Sequence, residues 1–227
     1  METTYNAASA APLSHPVDVH VAPQYLHRNR LTCAFRPILA IPHLLLVGGP
    51  LALVLTWATS HDGAPSEGGV GAGVLGAVAI VIAILAWFAI VFTGKFPRGL
   101  WTLSAYYMRW RVRALAYVAL LRDEYPPFGE GAYPASLGLP EALDDRDRVS
   151  VAFRLILVIP QLFVLWFVNI AWMITTVIAW IAILFTGAYP KALYDFSAGV
   201  LRWNSRVEAY MLLLRDEYPP FSLEEGV

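Results

Sequence analysis

The chain contains one long block of sequence twice, and this repeat is the strongest constraint on its fold. Residues Trp87–Phe128 and Trp180–Phe221 align at a constant offset of 93 residues and share F-T-G, a later proline, an R-W pair and a common ending. The last nine residues, Leu120–Phe128 and Leu213–Phe221, are identical. Such a repeat predicts two copies of one structural unit in similar surroundings.

The composition is that of a membrane protein. Apolar residues make up 58% of the 227 residues and charged residues only 15%, unlike an ordinary globular protein. All sixteen lysines and arginines lie outside the long apolar runs. The formal net charge of -1 excludes a generally basic nucleic-acid-binding protein, so no nucleic-acid partner is expected. With one cysteine and no Cys/His spacing typical of zinc, we expect neither a metal nor a cofactor.

Copy one, residues 30–128, follows a tail at residues 1–29 that is rich in Ala, Pro and Ser and is expected to be disordered. Two apolar segments follow, near residues 37–59 and 70–93. Each is long enough to cross a hydrocarbon layer of about 30 Å, which takes about 20 helical residues. The loop between them, residues 60–69, contains acidic residues, Gly and Pro but no Lys or Arg.

Copy two, residues 148–221, follows a linker at residues 129–147 and leaves a short tail at residues 222–227. It is more compact than copy one. The first residues of the two copies match at an offset of 118, whereas everything after Trp87 matches at 93. Copy one therefore contains 25 additional residues, which fall about where its loop and the neighbouring helix ends are predicted.

The apolar part of copy two has an ambiguous length. Between Arg154 and Gly187 lie 32 uncharged residues, too many for one untilted span and few for two. A single crossing would place the flanking basic segments on opposite sides of the membrane, against the positive-inside rule. We therefore predict a compact hairpin over residues 153–186 that turns near Asn169. Its legs of about 15 residues, or about 23 Å, imply local thinning of the bilayer or a re-entrant geometry.

Each copy is expected to continue into an amphipathic helix. Gly94 and Gly187 suit the left-handed residue that follows a helix end, and the prolines three residues later suit the first turn of a new helix. Apolar residues then recur every three or four positions across residues 97–122 and 190–215. The predicted fold is an all-α integral membrane protein with two tandem repeats, each a transmembrane helical hairpin followed by an amphipathic interfacial helix.

At these residues the chain resembles a known family. The pattern R-L-I-L-V-I-P-Q-L, then W-I-A-I-L-F-T-G-A-Y-P, then the Y-P-P-F ending is similar to the bacterial membrane family called domain of unknown function 4389. Copy two resembles it throughout Arg148–Phe221, and copy one resembles it over Arg30–His43 and Trp87–Phe128. The resemblance implies a membrane-embedded fold in two copies. It implies no reaction, ligand or catalytic residue.

Six residues are candidates for contact with lipid headgroups or with an acidic partner. The Arg-Trp pairs recur at the same place in both copies, and an arginine stands at the mouth of each predicted hairpin. The six are Arg109, Trp110, Arg202, Trp203, Arg36 and Arg154. Ordinary positive-inside anchoring with aromatic belts accounts for the same residues. No catalytic, cofactor-binding or metal-binding residue is predicted.

Two further features have alternative interpretations. His43 could bind haem iron or carry protons, but its counterpart in copy two is Gln161, which favours a snorkelling or hydrogen-bonded histidine. The D-E-Y-P-P-F endings could dock onto a partner. Alternatively, these endings fold back and pack their aromatic rings against the chain's own helices, and we favour this interpretation. Their carboxylates follow an arginine and are expected to form ion pairs.

The sequence contains no phosphate loop and no nucleophile motif, and apart from Arg154 at the mouth of the second hairpin it has no charged residue inside a predicted span. We therefore expect a non-enzymatic accessory or structural subunit of a larger bacterial inner-membrane assembly, with membrane lipids and other membrane-protein subunits as partners. A lipid-binding or small-molecule transport component is the alternative. The charge pattern predicts a multi-pass protein of the inner (plasma) membrane with both termini in the cytoplasm.

Overall fold

A computed structural model gives the fold and describes residues 15–49, 69–141 and 146–226. This part of the chain is mostly helical, with one short β-ribbon. In chain order its elements are β1 (Asp18–Val21), α1 (Arg30–Leu39), α2 (Ile41–Val47), α3 (Gly69–Thr93), α4 (Arg98–Val118), β2 (Ala135–Gly138), α5 (Arg148–Thr186) and α6 (Lys191–Met211).

Helix α5 is continuous, so the hairpin predicted over residues 153–186 is wrong. Its 39 residues give it a length of about 58 Å at 1.5 Å per residue. Asp147 caps its start, and Gly187 ends it in the left-handed conformation with φ 71°. Asn169, where the turn was expected, is buried and exchanges hydrogen bonds of 3.1 and 3.0 Å with Asn204 of α6. Because its amide is satisfied by that helix, Asn169 needs no turn to reach water.

The corresponding helix of repeat one is interrupted. Helices α1 and α2 meet at a bend of 42°, and α2 ends at Gly48. Regular α3 geometry resumes after Gly73, which has φ 71° and ψ 168°. Gly73 lies so close to α2 that a Cβ there would come within 2.5 Å of the Gly48 nitrogen. At the offsets of 118 and 93, both glycines correspond to Trp166 in the middle of α5.

Repeat one is therefore a long helix with 25 residues inserted at one point. The second predicted span, residues 70–93, coincides with α3. Residues 37–49 of the first predicted span cover the last residues of α1, the whole of α2 and the two glycines that follow it. Residues 50–59 of that span lie outside the described residues. The predicted loop at residues 60–69 lies almost wholly outside them as well.

Helices α4 and α6 lie where amphipathic helices were predicted, starting directly after Pro97 and Pro190. They are not interfacial helices with one solvated face, because residues around most of their circumference are buried. Arg206 and Glu208, which lie off the apolar stripe predicted for residues 190–215, are only 2% and 4% exposed. Arg206 donates to the carbonyl of Glu224 at 3.0 Å, and Glu208 accepts hydrogen bonds from α4, as described below. Helices α4 and α6 form the central layer of the protein.

The two repeats pack in an antiparallel arrangement. Trp87 Nε1 of α3 donates to the carbonyl of Val151 at the start of α5, at 3.0 Å. Trp180 Nε1, near the end of α5, donates to the carbonyl of Cys33 in α1, at 2.9 Å. Trp87 corresponds to Trp180 and Cys33 corresponds to Val151, so the same contact is made twice with the roles of the two repeats exchanged. An approximate two-fold relation between the repeats produces such a pair of contacts.

Part of the predicted disordered tail is ordered. Strand β1 pairs with β2 of the linker in antiparallel register, with His20 opposite Ser136. The valines of β1 point inward and its polar residues outward, as alternation in a half-buried strand requires. Arg28, later in the same segment, is buried against the C-terminal end of α4. The predicted disorder of residues 1–14 lies outside the described residues.

Helix α6 is sandwiched between α5 and the segment that contains β1. Tyr194, Ala198 and Arg202 line a cavity together with β1 residues. Trp203, Val207 and Tyr210 instead pack on the inner face of α5. At 100° per residue these two stripes lie on nearly opposite sides of α6. The molecule thus has three layers: long apolar helices, central helices, and a polar cover of β-ribbon and connecting segments.

Two helices of the described part are long and apolar enough to cross a membrane. They are Gly73–Thr93 and Arg148–Thr186, and the bent pair of α1 and α2 would make a third if it were one span. Their outer faces expose large apolar side chains along their whole length. These features indicate a membrane protein.

Candidate functional site: arginine clusters and a polar centre between the repeats

Each repeat contains one buried arginine cluster, built in the same way. Arg36 donates to the carbonyls of Tyr117 and Arg122 at 3.2 and 2.8 Å and to Asp123 at 2.7 Å. Arg154 donates to the equivalent carbonyls at 3.2 and 2.8 Å and to Asp216 at 2.6 Å. Both guanidiniums are 2% exposed, and both stack over a tyrosine ring.

A second arginine completes each cluster. Arg28 pairs with Asp123 at 2.8 Å, and Arg146 pairs with Asp216 at 2.6 Å. Burial alone would raise the pKa of the Asp216 carboxyl, but Arg146 and Arg154 outweigh it and hold that pKa below its ordinary value. Each cluster fastens the start of a long helix to the end of the central helix of the same repeat.

These clusters explain why the L-L-R-D-E segment is identical in both copies. Leu120 and Leu213 adopt left-handed conformations with φ 63° and 60°, which are unusual for leucine. They close the ends of α4 and α6 and turn the chain so that the following aspartate reaches the buried arginines. Arg28 also donates to the carbonyls of Leu120 and Leu121.

Both Arg-Trp pairs place their tryptophan inside the protein. Trp110 Nε1 donates to His43 Nδ1 at 3.1 Å, and Trp203 Nε1 donates to Gln161 Oε1 at 2.8 Å. The Gln161 amide in turn donates to the carbonyl of Pro219 at 2.5 Å. His43 and Gln161 thus occupy equivalent positions and accept equivalent hydrogen bonds, so the hydrogen-bonded interpretation of His43 is confirmed.

The Y-P-P-F endings fold back onto the helices, as favoured from the sequence. Phe128 stacks on the His43 ring at 4.5 Å, and Tyr125 contacts Tyr117 at 5.5 Å. In repeat two the corresponding rings contact Trp203 and Tyr210.

Of the six predicted contact residues, only the arginines of the Arg-Trp pairs reach the surface. Arg109 lies 3.6 Å from Glu130 with its side chain 33% exposed. Arg202 pairs with Glu225 and donates to the carbonyl of Val19 at 3.4 Å. The other four, Arg36, Arg154, Trp110 and Trp203, are buried. They hold the fold together and present no surface to a headgroup, because the terminal guanidinium nitrogens and the indole N–H groups already donate to partners inside the protein.

A buried polar centre, which the sequence reasoning missed, lies between the repeats. Arg111 of α4 donates to Glu208 of α6 at 2.8 Å, and Tyr107 donates to the same carboxylate at 3.1 Å. Burial raises the pKa of Tyr107, and the charge of Glu208 raises it further, so the phenol remains a donor. Arg111 also donates to the carbonyls of Val47 and Gly49.

The polar centre is not repeated when the two copies are exchanged. Arg111 corresponds to Asn204, and Glu208 corresponds to Leu115. Arg111 therefore belongs to the interruption of repeat one, where it satisfies carbonyls exposed at the end of α2 and faces the negative end of that helix dipole. The mismatch between Arg111 and Asn204 in the aligned copies was the signal that could have revealed it.

Two equivalent apolar grooves lie where the repeats meet. The Arg36 groove, of about 430 Å³, is lined by Arg36, Pro37, Ala40, Leu44, Val118, Leu120, Thr176, Val177 and Trp180. The Arg154 groove, of about 320 Å³, is lined by Ile80, Ala83, Ile84, Trp87, Arg154, Leu155, Met211, Leu212 and Leu213. Each combines the arginine end of one repeat with the tryptophan helix of the other. Within residues 15–49, 69–141 and 146–226, no three His, Cys, Asp or Glu side chains are grouped to hold a metal ion.

The chain belongs to the family described as domain of unknown function DUF4389. The family model matches residues 69–129 and 148–222, one match in each repeat. No curated protein and no solved structure matches the chain. The structural repeat begins earlier than the first match, because Arg36 of α1 makes the same contacts as Arg154 of α5.

The equivalence of His43 and Gln161 predicts that glutamine can replace the histidine. His43→Gln should change the free energy of unfolding by less than about 1 kcal/mol, whereas His43→Leu should cost about 1–3 kcal/mol because Trp110 Nε1 is left buried without an acceptor. Denaturant or thermal unfolding in detergent checks this. Equal destabilisation by both substitutions would show that the hydrogen bond from Trp110 is not what His43 contributes.

The interruption of repeat one predicts a dependence between Arg111 and the 25 inserted residues. Deleting residues 49–73 joins Gly48 to Val74 and leaves Arg111 without two carbonyl acceptors, at a cost of about 3 kcal/mol. Adding Arg111→Asn and Glu208→Leu, the residues of the other copy, should recover stability. Circular dichroism and thermal unfolding compare the two forms. If the deletion alone is as stable as the combined variant, Arg111 does not depend on the interruption.

Proposed function

We propose that this protein is a non-enzymatic integral membrane protein that holds lipid acyl chains in its two equivalent grooves and serves as an accessory or structural subunit of a bacterial inner-membrane assembly. The twin grooves are the observation that supports it. The linings of both grooves are almost entirely apolar. The two grooves lie at equivalent positions in the two repeats, although several of the residues that line them differ in type.

Acyl chains suit these grooves better than a polar ligand does. Each groove has one charged residue, Arg36 or Arg154, and that guanidinium is already committed to an aspartate and two carbonyls. Lining residues such as Leu155 and Val177 are also largely exposed on the outer apolar face. A chain lying in the membrane can therefore enter sideways, burying apolar surface on both partners.

A cavity on the polar side supports the accessory role. It measures about 480 Å³ between β1 and α6, and charged residues of both signs line it, among them Lys191, Asp195 and Arg202. Tyr25 adds an aromatic ring beside Tyr194 at 4.8 Å. A groove of this composition fits a polar peptide segment of a partner subunit.

The polar layer and both chain ends are placed on the cytoplasmic side in this proposal. Lysine and arginine concentrate on the cytoplasmic side of bacterial membrane proteins. In the described part, the basic residues lie in the central helices, in the connecting segments or close to the outer ends of long helices, including Arg30, Lys95 and Arg148.

Filling the grooves should displace bound lipid. Ala83→Trp and Thr176→Trp place an indole in the Arg154 and Arg36 grooves respectively, at equivalent positions. We expect native mass spectrometry of the protein purified in mild detergent to show lipid adducts that the double variant loses. The matched control is Val81→Trp with Ile174→Trp, on the exposed outer face. Equal retention by both double variants would exclude the grooves as lipid sites.

The same purification tests the accessory role. A partner subunit should co-purify with the unmodified chain and with both tryptophan variants, but less with Lys191→Glu. Swapping the pair by Lys191→Glu with Asp195→Lys keeps the i,i+4 ion pair of α6 and controls for helix stability. A chain that always emerges alone would contradict the accessory role and leave lipid binding unaffected.

A further inference from the structure

We infer that α5, and with it the equivalent helices of repeat one, lies along one leaflet of the membrane instead of crossing it. The apolar face would then rest in the hydrocarbon layer, and the β-ribbon and central helices would stay on the side from which the protein inserts. The inference rests on the proposed membrane embedding but not on lipid retention in the grooves. It replaces the multi-pass arrangement expected from the sequence.

The first support is the length of the apolar face of α5. Large apolar side chains are exposed from Val149 to Phe185, a distance of about 54 Å along the helix. The only charged residue in this stretch, Arg154, is buried. To keep that face within a hydrocarbon layer of about 30 Å, a crossing helix would need a tilt of about 56°, whereas observed tilts range up to about 40°.

The second support is what lies level with the middle of α5. Asn169, near its midpoint, is hydrogen-bonded to Asn204 at the middle of α6. Two residues earlier, on the side of α6 turned away from α5, Arg202 pairs with Glu225, which is 65% exposed. If α5 crossed the membrane, this ion pair would face lipid near the bilayer midplane, where charged groups and their hydration are least tolerated.

The position of the β-ribbon is the third observation against a crossing α5. Arg202 donates to the carbonyl of Val19, so β1 also lies level with the middle of α5. A two-stranded ribbon has two unpaired edges, and open edges do not occur against lipid because their backbone groups lack partners. The exposed side chains of the ribbon, Asp18, His20 and Ser136, are polar as well.

Repeat one also has an exposed ion pair near the middle of its central helix. Arg109, the counterpart of Arg202, lies near the middle of α4 and faces Glu130, which is 62% exposed. Helix α3 meets α5 through Trp87, and α1 meets it through Trp180, so both ends of α5 are fixed to the helices of repeat one. One polar layer therefore covers the middle of both repeats on the same side. A bilayer leaflet on the opposite side is the partner that fits the remaining apolar surface.

The test is whether both ends of α5 are on the same side of the membrane. Glu141→Cys precedes α5, Ala192→Cys follows it, and both positions are exposed. Each is made in the full chain with Cys33→Ser, in cells that express the protein. Labelling with a membrane-impermeant maleimide is compared in intact cells, in permeabilised cells and after denaturation in detergent, which measures the total reactive thiol.

We expect neither site to react in intact cells and both to react after permeabilisation. Reaction at only one site in intact cells means that α5 crosses the membrane and overturns the inference. Reaction at both sites in intact cells supports one-sided insertion but from the outer face, which overturns the cytoplasmic placement in the proposed function. Recovery of the chain in the soluble fraction after alkaline extraction means that protein covers the apolar face, and it overturns the inference.

Discussion

The structure depends on burying arginines that pair with aspartates and backbone carbonyls inside the protein. Arg36 and Arg154 each reach two backbone carbonyls and one aspartate, so their charges are neutralised within the layer of central helices. An uncompensated buried guanidinium would be strongly destabilising, whereas a paired one with several hydrogen bonds is tolerated. This pairing leaves the outer faces of the long helices apolar between their ends. It produces a two-sided molecule, polar on one face and apolar on the other.

The two repeats use the same clusters but differ at one point. In repeat two the long helix continues through Trp166, whereas in repeat one it stops at Gly48 and 25 residues intervene. Stopping a helix exposes backbone carbonyls, and burial makes them costly unless a donor is present. Arg111 supplies that donor, and Glu208 balances its charge. This local interruption thus accounts for the buried polar centre around Arg111 and Glu208.

Much of this could be predicted from the sequence. The left-handed Gly94 and Gly187, the ion-pair role of the aspartates and the inward packing of the Y-P-P-F rings followed from local patterns and are confirmed. The continuity of α5 could not be predicted, because the hairpin followed from the length of the apolar run and the positive-inside rule, and neither reveals that Asn169 has a partner in α6. The strand pairing of residues 18–21 depends on a partner over 100 residues away. The burial of Arg206 and Glu208 likewise depends on tertiary contacts that periodicity does not encode.

The placement of the protein in the membrane is defined by how deeply α5 lies in the bilayer. Nitroxide labels at exposed positions along α5, such as Phe153, Phe163, Ile174 and Phe185, can be placed one at a time in the chain reconstituted in lipid vesicles. Power-saturation measurements then give the depth of each label below the phosphate level. One-sided insertion predicts that every depth stays within one leaflet, about 15 Å, and changes far less than 1.5 Å per residue along the helix. Depths that reach the bilayer centre near the middle of α5 and decrease again toward its other end, as a crossing helix requires, would contradict one-sided insertion.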